Sequence, residues 1–214
     1  MKNKIVIAAI FLGLAITSIA QGPRYAESMK KNIETLDQKP SIENYQNAAN
    51  NFERIANAEK NQWLPFYYAG YATVMQAFSG MEPGNMSAAL DKAESFLYQA
   101  AALEPDNSEI AAVMSMVITG RMQVDGSQSM TLGPKATALL SKAMSQQPQG
   151  NPRVMMNLSQ NLYYTPEPFG GSKKKALELM EKALQAYDTF NPASELHPNW
   201  GKVYIESVLK QWKG

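Results

Sequence analysis

The stretch "KAESFLYQAAALEPDN", Lys92 to Asn107, carries two alanines seven positions apart, Ala93 and Ala100, and then Pro105. Seven residues are two turns of an α-helix, so the two methyl groups fall on one face. Phe96 and Leu97 stand between them as the larger apolar residues of the same face. Alanine at such positions lets a neighbouring helix approach closely. Pro105 ends the helix, because its ring clashes with the preceding turn and it lacks an N–H. "EPDNSE" then restarts the chain, with Asp106 predicted as N-cap and Glu109 three residues on.

The same pattern returns along the chain. "NAANNFERIANAEKN" pairs Ala49 with Ala56, "KATALLSKAMSQQPQGN" pairs Ala136 with Ala143, and "KKALELMEKALQAYDTFN" pairs Ala176 with Ala183. Successive pairs are offset by 44, 43 and 40 residues. Larger apolar residues sit inside each pair: Phe52 and Ile55, Leu139 and Leu140, Leu179 and Met180. Pro148 ends its helix 43 residues after Pro105, and "GNPR" restarts with Asn151 as cap and Pro152 at the first helical position. A period of this length is the signature of a repeat array.

These residues resemble the tetratricopeptide-repeat family. "KAESFLYQAAALEPDN" is similar to that family's second helix and its proline-terminated turn, and "YYAGYA" (Tyr67 to Ala72) is a remnant of the first. The resemblance covers residues 24 to 212 but departs in its longer period and in its degenerate first-helix tryptophan and Leu-Gly pair. "TPEPFGG" before a lysine-rich helix and "HPNWG" near the end also resemble a group of exported tetratricopeptide-like proteins of unassigned activity. The resemblance implies an all-α solenoid of about four helix-turn-helix repeats with a C-terminal capping helix. Nine helices are predicted, over 25–37, 42–59, 62–79, 86–103, 108–123, 134–147, 152–164, 173–188 and 199–212. Tyr25, Met29, Ile33 and Leu36 form the apolar stripe of the first. Val203, Ile205, Val208, Leu209 and Trp212 form that of the last. "VDGSQSMTLGP", 124–134, is the expected mobile loop.

Residues 1–20 read as a signal peptide: Lys2 and Lys4, an apolar run from Ile5 to Ile16, then Ser18-Ile19-Ala20, with cleavage expected before Gln21. Residues 21–214 are expected to form one helical repeat domain that is periplasmic or secreted. No cysteine is present, so disulfides and thiolate metal sites are excluded, and packing alone must hold the fold. The chain has 20 Lys+Arg against 19 Asp+Glu; without Lys2 and Lys4 the balance is 18 against 19. Such near-neutrality argues against nucleic acid as partner, since phosphate contacts need clustered cations. Nothing after the signal is long and apolar enough to span a membrane.

"TPEPFGGSKKK", Thr165 to Lys175, invites a phosphate-cradle reading. A nucleotide loop needs spaced glycines after a strand, whereas Gly170 and Gly171 are adjacent and follow a helix stopped by Pro166 and Pro168. The stretch reads as a repeat junction in which Ser172 caps the next helix. Three lysines at a helix start oppose its dipole. His197 is the sole histidine, which excludes a histidine cluster for metal; it is expected to cap the final helix, with Trp200 filling the end of the core. The 13 methionines are dispersed, as core fillers are.

Two stripes are candidate ligand-binding surfaces. Arg153, Asn157 and Asn161 recur at i, i+4 and i+8 on a first helix, which in the resembled family lines a concave groove. Tyr67, Tyr71 and Met75 form the second stripe. The expected function is a non-catalytic, cofactor-free and metal-free protein- or peptide-binding or assembly module of the cell envelope. The alternative is a periplasmic small-molecule capture protein accessory to a transporter.

Overall fold

A computed structural model describes residues 22–38, 41–147 and 150–214. The expected signal segment and the expected helix stop at Pro148 lie outside these. Among the described residues there are nine α-helices and no strand: α1 (Pro23–Gln38), α2 (Ile42–Ala58), α3 (Trp63–Phe78), α4 (Pro83–Leu103), α5 (Ser108–Val124), α6 (Ser129–Gln146), α7 (Pro152–Tyr164), α8 (Lys173–Ala186) and α9 (Lys202–Lys213).

Local chemistry accounts for where they begin. Ser41, Asn107, Asn151 and Ser172 each accept a hydrogen bond from a backbone N–H of the following first turn. Such caps satisfy donors that have no partner inside the helix. The cap of α5 is therefore Asn107, one residue later than the predicted Asp106. Asp106 instead adopts a left-handed backbone, φ 58°, in the turn after Pro105. The 124–134 segment is also corrected: it is a short 3₁₀ turn, Gly126–Gln128, followed by the first turns of α6. Asp125 makes this possible by accepting from the Ser127 backbone and from the Ser127 and Gln128 side chains. Pro134 lies within α6, one turn past its start, where it cannot donate the usual bond to the Met130 carbonyl.

The junction at Thr165 to Lys175 is built as a turn. Gly170 takes φ 93°, and a Cβ on Gly171 would lie 1.7 Å from the Thr165 carbonyl oxygen. Only a residue without a side chain fits there.

All eight paired alanines are buried, none exposing more than 3% of its surface. They are where helices meet. Gly70 of α3 sits so close to α4 that a Cβ there would lie 2.8 Å from the Leu97 side chain and 3.3 Å from the Ala93 carbonyl. The Ser159 hydroxyl of α7 donates to the Ala176 carbonyl of α8 at 2.6 Å. Small residues thus bring the helices of a pair together, and larger ones, Phe52, Leu97, Leu140 and Met180, fill the space beside them.

Consecutive helices pack on one another, and α1, α3, α5 and α7 also touch in series. No comparable chain of contacts joins α2, α4, α6 and α8. The odd-numbered helices therefore form the tighter layer and the even-numbered ones a looser outer layer. In α9, Ile205, Val208 and Leu209 are buried, whereas Val203, predicted on the same apolar stripe, is 79% exposed. It lies two residues from Ile205, which is 200° around the helix.

Candidate functional site

The 15 residues between α8 and α9, 187–201, do not form a simple connection. They run across the odd-numbered layer and return. Near the far end, Lys30 of α1 pairs with Glu195 at 3.1 Å. The Tyr68 hydroxyl of α3 donates to the Leu196 carbonyl at 3.0 Å. On the return, Trp200 stacks on Tyr71 with ring centroids 4.4 Å apart and donates its indole N–H to the Tyr67 hydroxyl at 2.8 Å. This strap covers the face to which the sequence reading assigned a concave groove.

Arg153 anchors the strap from α7. Its guanidinium is fully buried and donates to both oxygens of Glu109 on α5, Nε to Oε2 at 2.6 Å and an Nη to Oε1 at 2.5 Å. The other Nη faces the Tyr187 hydroxyl and the Trp200 carbonyl at 3.4 and 3.3 Å. The Phe190 ring closes the remaining side, its centroid 4.5 Å from Cζ. Burial alone would favour the neutral guanidine. The hydrogen bonds and charge of Glu109 outweigh it, so the pKa lies above its ordinary value. Asn151 adds a bond from Nδ2 to Glu109 at 2.7 Å, which completes the carboxylate's shell.

The predicted stripes are therefore placed as follows. Arg153 and Asn157 lie inside the α5–α7 seam, where the Asn157 amide donates to the Ala112 carbonyl at 2.8 Å and to the Ser115 hydroxyl at 3.1 Å. Asn161 is partly buried, and its Nδ2 has no hydrogen-bond partner. Tyr67 is wholly buried, its phenol pushed well above the usual range by burial first and the Glu109 charge next. Tyr71 is under Trp200, and Met75 is half-buried against the core. The structure brings Tyr67 and Arg153 to the same strap, Tyr67 at the Trp200 indole N–H and Arg153 at the Trp200 carbonyl, but as packing groups with their polar atoms spent. Tyr67, Arg153 and Asn157 are buried and so do not present a solvent-facing groove surface.

His197 is corrected too. It does not cap α9, whose first turn follows Gly201 at φ 111° with no side-chain cap. Its Nδ1 shares a hydrogen bond with the Ser194 hydroxyl at 2.8 Å, and its ring meets Trp63 edge-on at 5.7 Å. Burial lowers its pKa, while Glu109 and then Glu104 pull the other way. Trp200 fills the inner layer over α3, not the end of the core.

A surface that the sequence reading missed lies at the C-terminal end. Tyr163 of α7 stacks face to face on Trp212 of α9, with centroids 3.8 Å apart and planes 4° from parallel. Tyr164 meets the same indole edge-on at 6.4 Å. Tyr164 is 69% exposed and Tyr204 is 50% exposed. Burial raises the Tyr204 phenol, and Tyr164 nearby raises it further. The Lys173 ammonium stands 5.3 Å from the Tyr163 ring centroid, and Lys174 and Lys175 follow it, exposed, at the start of α8. An aromatic platform, in which Tyr163 and Trp212 are stacked and Tyr164 stands edge-on to both, thus adjoins a cluster of cations. Exposed aromatic clusters of this kind mark binding surfaces.

No protein-family model matches the chain, and no curated protein matches it. Among solved structures, the HusA haemophore from Porphyromonas gingivalis matches with a TM-score of 0.80 and 34% sequence identity, over 91% of this chain and 96% of that one. The chain belongs to the HusA haemophore family.

The strap fills the inner layer, where the sequence reading expected a bound peptide to lie. Signals for the platform were present in sequence: "NLYYTPEP" ends a helix with two adjacent tyrosines, and "YIESVLKQW" places Trp212 eight residues after Tyr204, on neighbouring sides of one helix. Among the described residues no helix is long and apolar enough to cross a membrane, and no group of three or more His, Cys, Asp or Glu is placed to hold a metal ion.

Proposed function

We propose that this protein is an exported, non-catalytic capture protein for haem or a related porphyrin, built from four diverged tetratricopeptide-like helix pairs and a terminal helix. The porphyrin lies on the platform of Tyr163, Tyr164, Tyr204 and Trp212, with its propionates toward Lys173, Lys174 and Lys175. The observation that carries the reading is the haemophore match over nearly its whole length at 34% identity. The platform supplies the matching chemistry. A porphyrin is a flat π-system with two carboxylates at one edge, and it needs an aromatic surface and cations side by side.

The lysines support this reading independently. Ammonium groups in the first turn of a helix oppose its dipole, each at a cost of about 0.3–1 kcal/mol. An anionic ligand offsets that cost, and a purely structural junction has no use for it. Arrays of this kind also offer an inner face to peptides, but here the strap already occupies that face.

Reversing the three lysines to glutamate tests the proposal. The substitutions lie on the surface and agree better with the helix dipole, so the fold is expected to gain roughly 1 kcal/mol. Ferric protoporphyrin, titrated by absorbance, is expected to bind about tenfold more weakly, with a smaller salt dependence. Unchanged affinity in the reversed variant would remove the platform from the account.

A further inference from the structure

The turn between α7 and α8 holds an aromatic side chain out into solvent. Phe169 is 60% exposed, and the porphyrin platform makes no use of it. All five residues from Pro166 to Gly170 are exposed, so the turn projects from the body of the protein. Its backbone is nonetheless fixed. The Phe169 N–H donates to the Pro166 carbonyl at 2.9 Å, and the Gly170 N–H to the Glu167 carbonyl at 3.0 Å. The Ser172 N–H reaches back to the Leu162 carbonyl of α7 at 2.9 Å. Pro166 and Pro168 restrict the chain further, and Gly170 reverses it at φ 93°. A junction that only joined two helices would be served by a small polar residue in place of Phe169. An apolar ring on a turn already ordered gives up little freedom when it meets a partner.

Cations stand beside this ring. Lys173, Lys174 and Lys175 follow it by four to six residues, all exposed. None of the three forms an ion pair among the described residues. The turn sets a single carboxylate, Glu167, against them. Tyr164, 69% exposed at the end of α7, flanks the other side of the turn in sequence. Tyr98, also exposed, lacks such company: its hydroxyl faces Glu94 on α4.

We propose that this end of the molecule docks on an anionic lipid surface, with Phe169 and Tyr164 entering the interface and Lys173, Lys174 and Lys175 meeting the lipid phosphates. Aromatic rings settle at the boundary between headgroups and acyl chains. Lysines beside them are drawn to a negatively charged leaflet. A projecting ring suits a fluid interface that closes around it, whereas a protein partner would need a pocket shaped to receive it. The proposal goes beyond the porphyrin reading and does not rest on it, because the lysines are shared with that site and Phe169 is not.

The test mixes the mature chain with vesicles of phosphatidylcholine alone, or of phosphatidylcholine with phosphatidylglycerol, and reads the bound fraction by cosedimentation. Binding is expected to the anionic vesicles, falling as salt rises, and to be much weaker to the neutral ones. Each lysine is worth about fivefold at an anionic surface, so Lys173→Glu, Lys174→Glu and Lys175→Glu combined should weaken binding about a hundredfold. Phe169→Ser should weaken it about tenfold and leave porphyrin titrations unmoved. Because the chain has no cysteine, Phe169→Cys and Tyr98→Cys each accept one environment-sensitive fluorophore. The label at 169 should shift to the blue on anionic vesicles, and the label at 98 should not.

No preference for anionic vesicles in the unaltered chain, full binding in Phe169→Ser, or equal shifts at both labels would overturn the proposal. A chain that ignores vesicles but binds a polyglutamate peptide through the same lysines would assign the patch to an acidic protein instead, and would overturn it too. Each of these results leaves porphyrin capture standing, and a failure of porphyrin binding leaves lipid docking standing.

Discussion

Replacing Arg153 by methionine removes the charge that anchors the strap while keeping most of the side-chain volume. In the folded protein Arg153 is fully buried, and the Glu109 side chain is nearly so. Because both partners are buried, solvent screens their attraction little. The substitution leaves the Glu109 carboxylate in the α5–α7 seam with only the Asn151 amide to hold it. Breaking a buried pair from one side costs about 3–5 kcal/mol, most of it the stranded charge. For a chain of this size that is a fall of roughly 6–20 °C in melting temperature. Urea unfolding at constant m-value measures it directly. The double variant Arg153→Met with Glu109→Gln should be more stable than Arg153→Met alone, because no carboxylate is then stranded. A loss below about 1 kcal/mol in the single variant, the range of an exposed pair, would refute the claim that this pair anchors the strap.

Other outcomes follow from single contacts. Trp200→Ala removes the stack on Tyr71 and the bond to Tyr67, and should cost about 3 kcal/mol, the lower end for loss of a large aromatic since Trp200 is half-buried; thermal unfolding reports it. Ala93→Leu forces three further carbons against Gly70 in the α3–α4 seam and should cost about 1–3 kcal/mol by overpacking, whereas Ala102→Leu on the exposed side of the same helix should be near neutral. Tyr25→Phe should raise stability by about 1 kcal/mol in chemical unfolding, because the Tyr25 hydroxyl is buried without a partner; the same burial, with Glu59, pushes its pKa up to about 12. His197 has a folded pKa below its ordinary 6.5, so the folded state prefers the neutral ring. Its contribution is complete above pH about 6.5, falls as the pH drops toward the lower folded value, and is flat below both. Melting temperature should therefore decline on acidification through that window, and the decline should shrink in His197→Asn.

Much of the fold was legible because its determinants are local. The paired alanines recur at two helical turns and report the seams, and all eight are buried. Asn151, Pro152 and Ser172 stand where capping chemistry requires. The strap was not legible. "YDTFNPASELHPNWG" has no periodicity, and its partners lie as far as 165 residues away. The Arg153–Glu109 pair was hidden for a different reason. Arg153 was read on its own helix as one face of a stripe, although it stands two residues after the cap Asn151 as Glu109 stands two after the cap Asn107. Opposite charges at equivalent places in successive repeats become neighbours when the repeats stack. The platform joins α7 and α9, so the aromatic signals in each helix did not reveal that Tyr163 and Trp212 meet.

The most direct test is a map of amide chemical shifts in the isotope-labelled mature chain on addition of metal-free protoporphyrin. The proposal predicts changes clustered at Tyr163, Tyr164, Lys173 to Lys175 and along α9, with α2 to α4 undisturbed. Changes centred on α2 to α4, or none at saturating porphyrin, would contradict it.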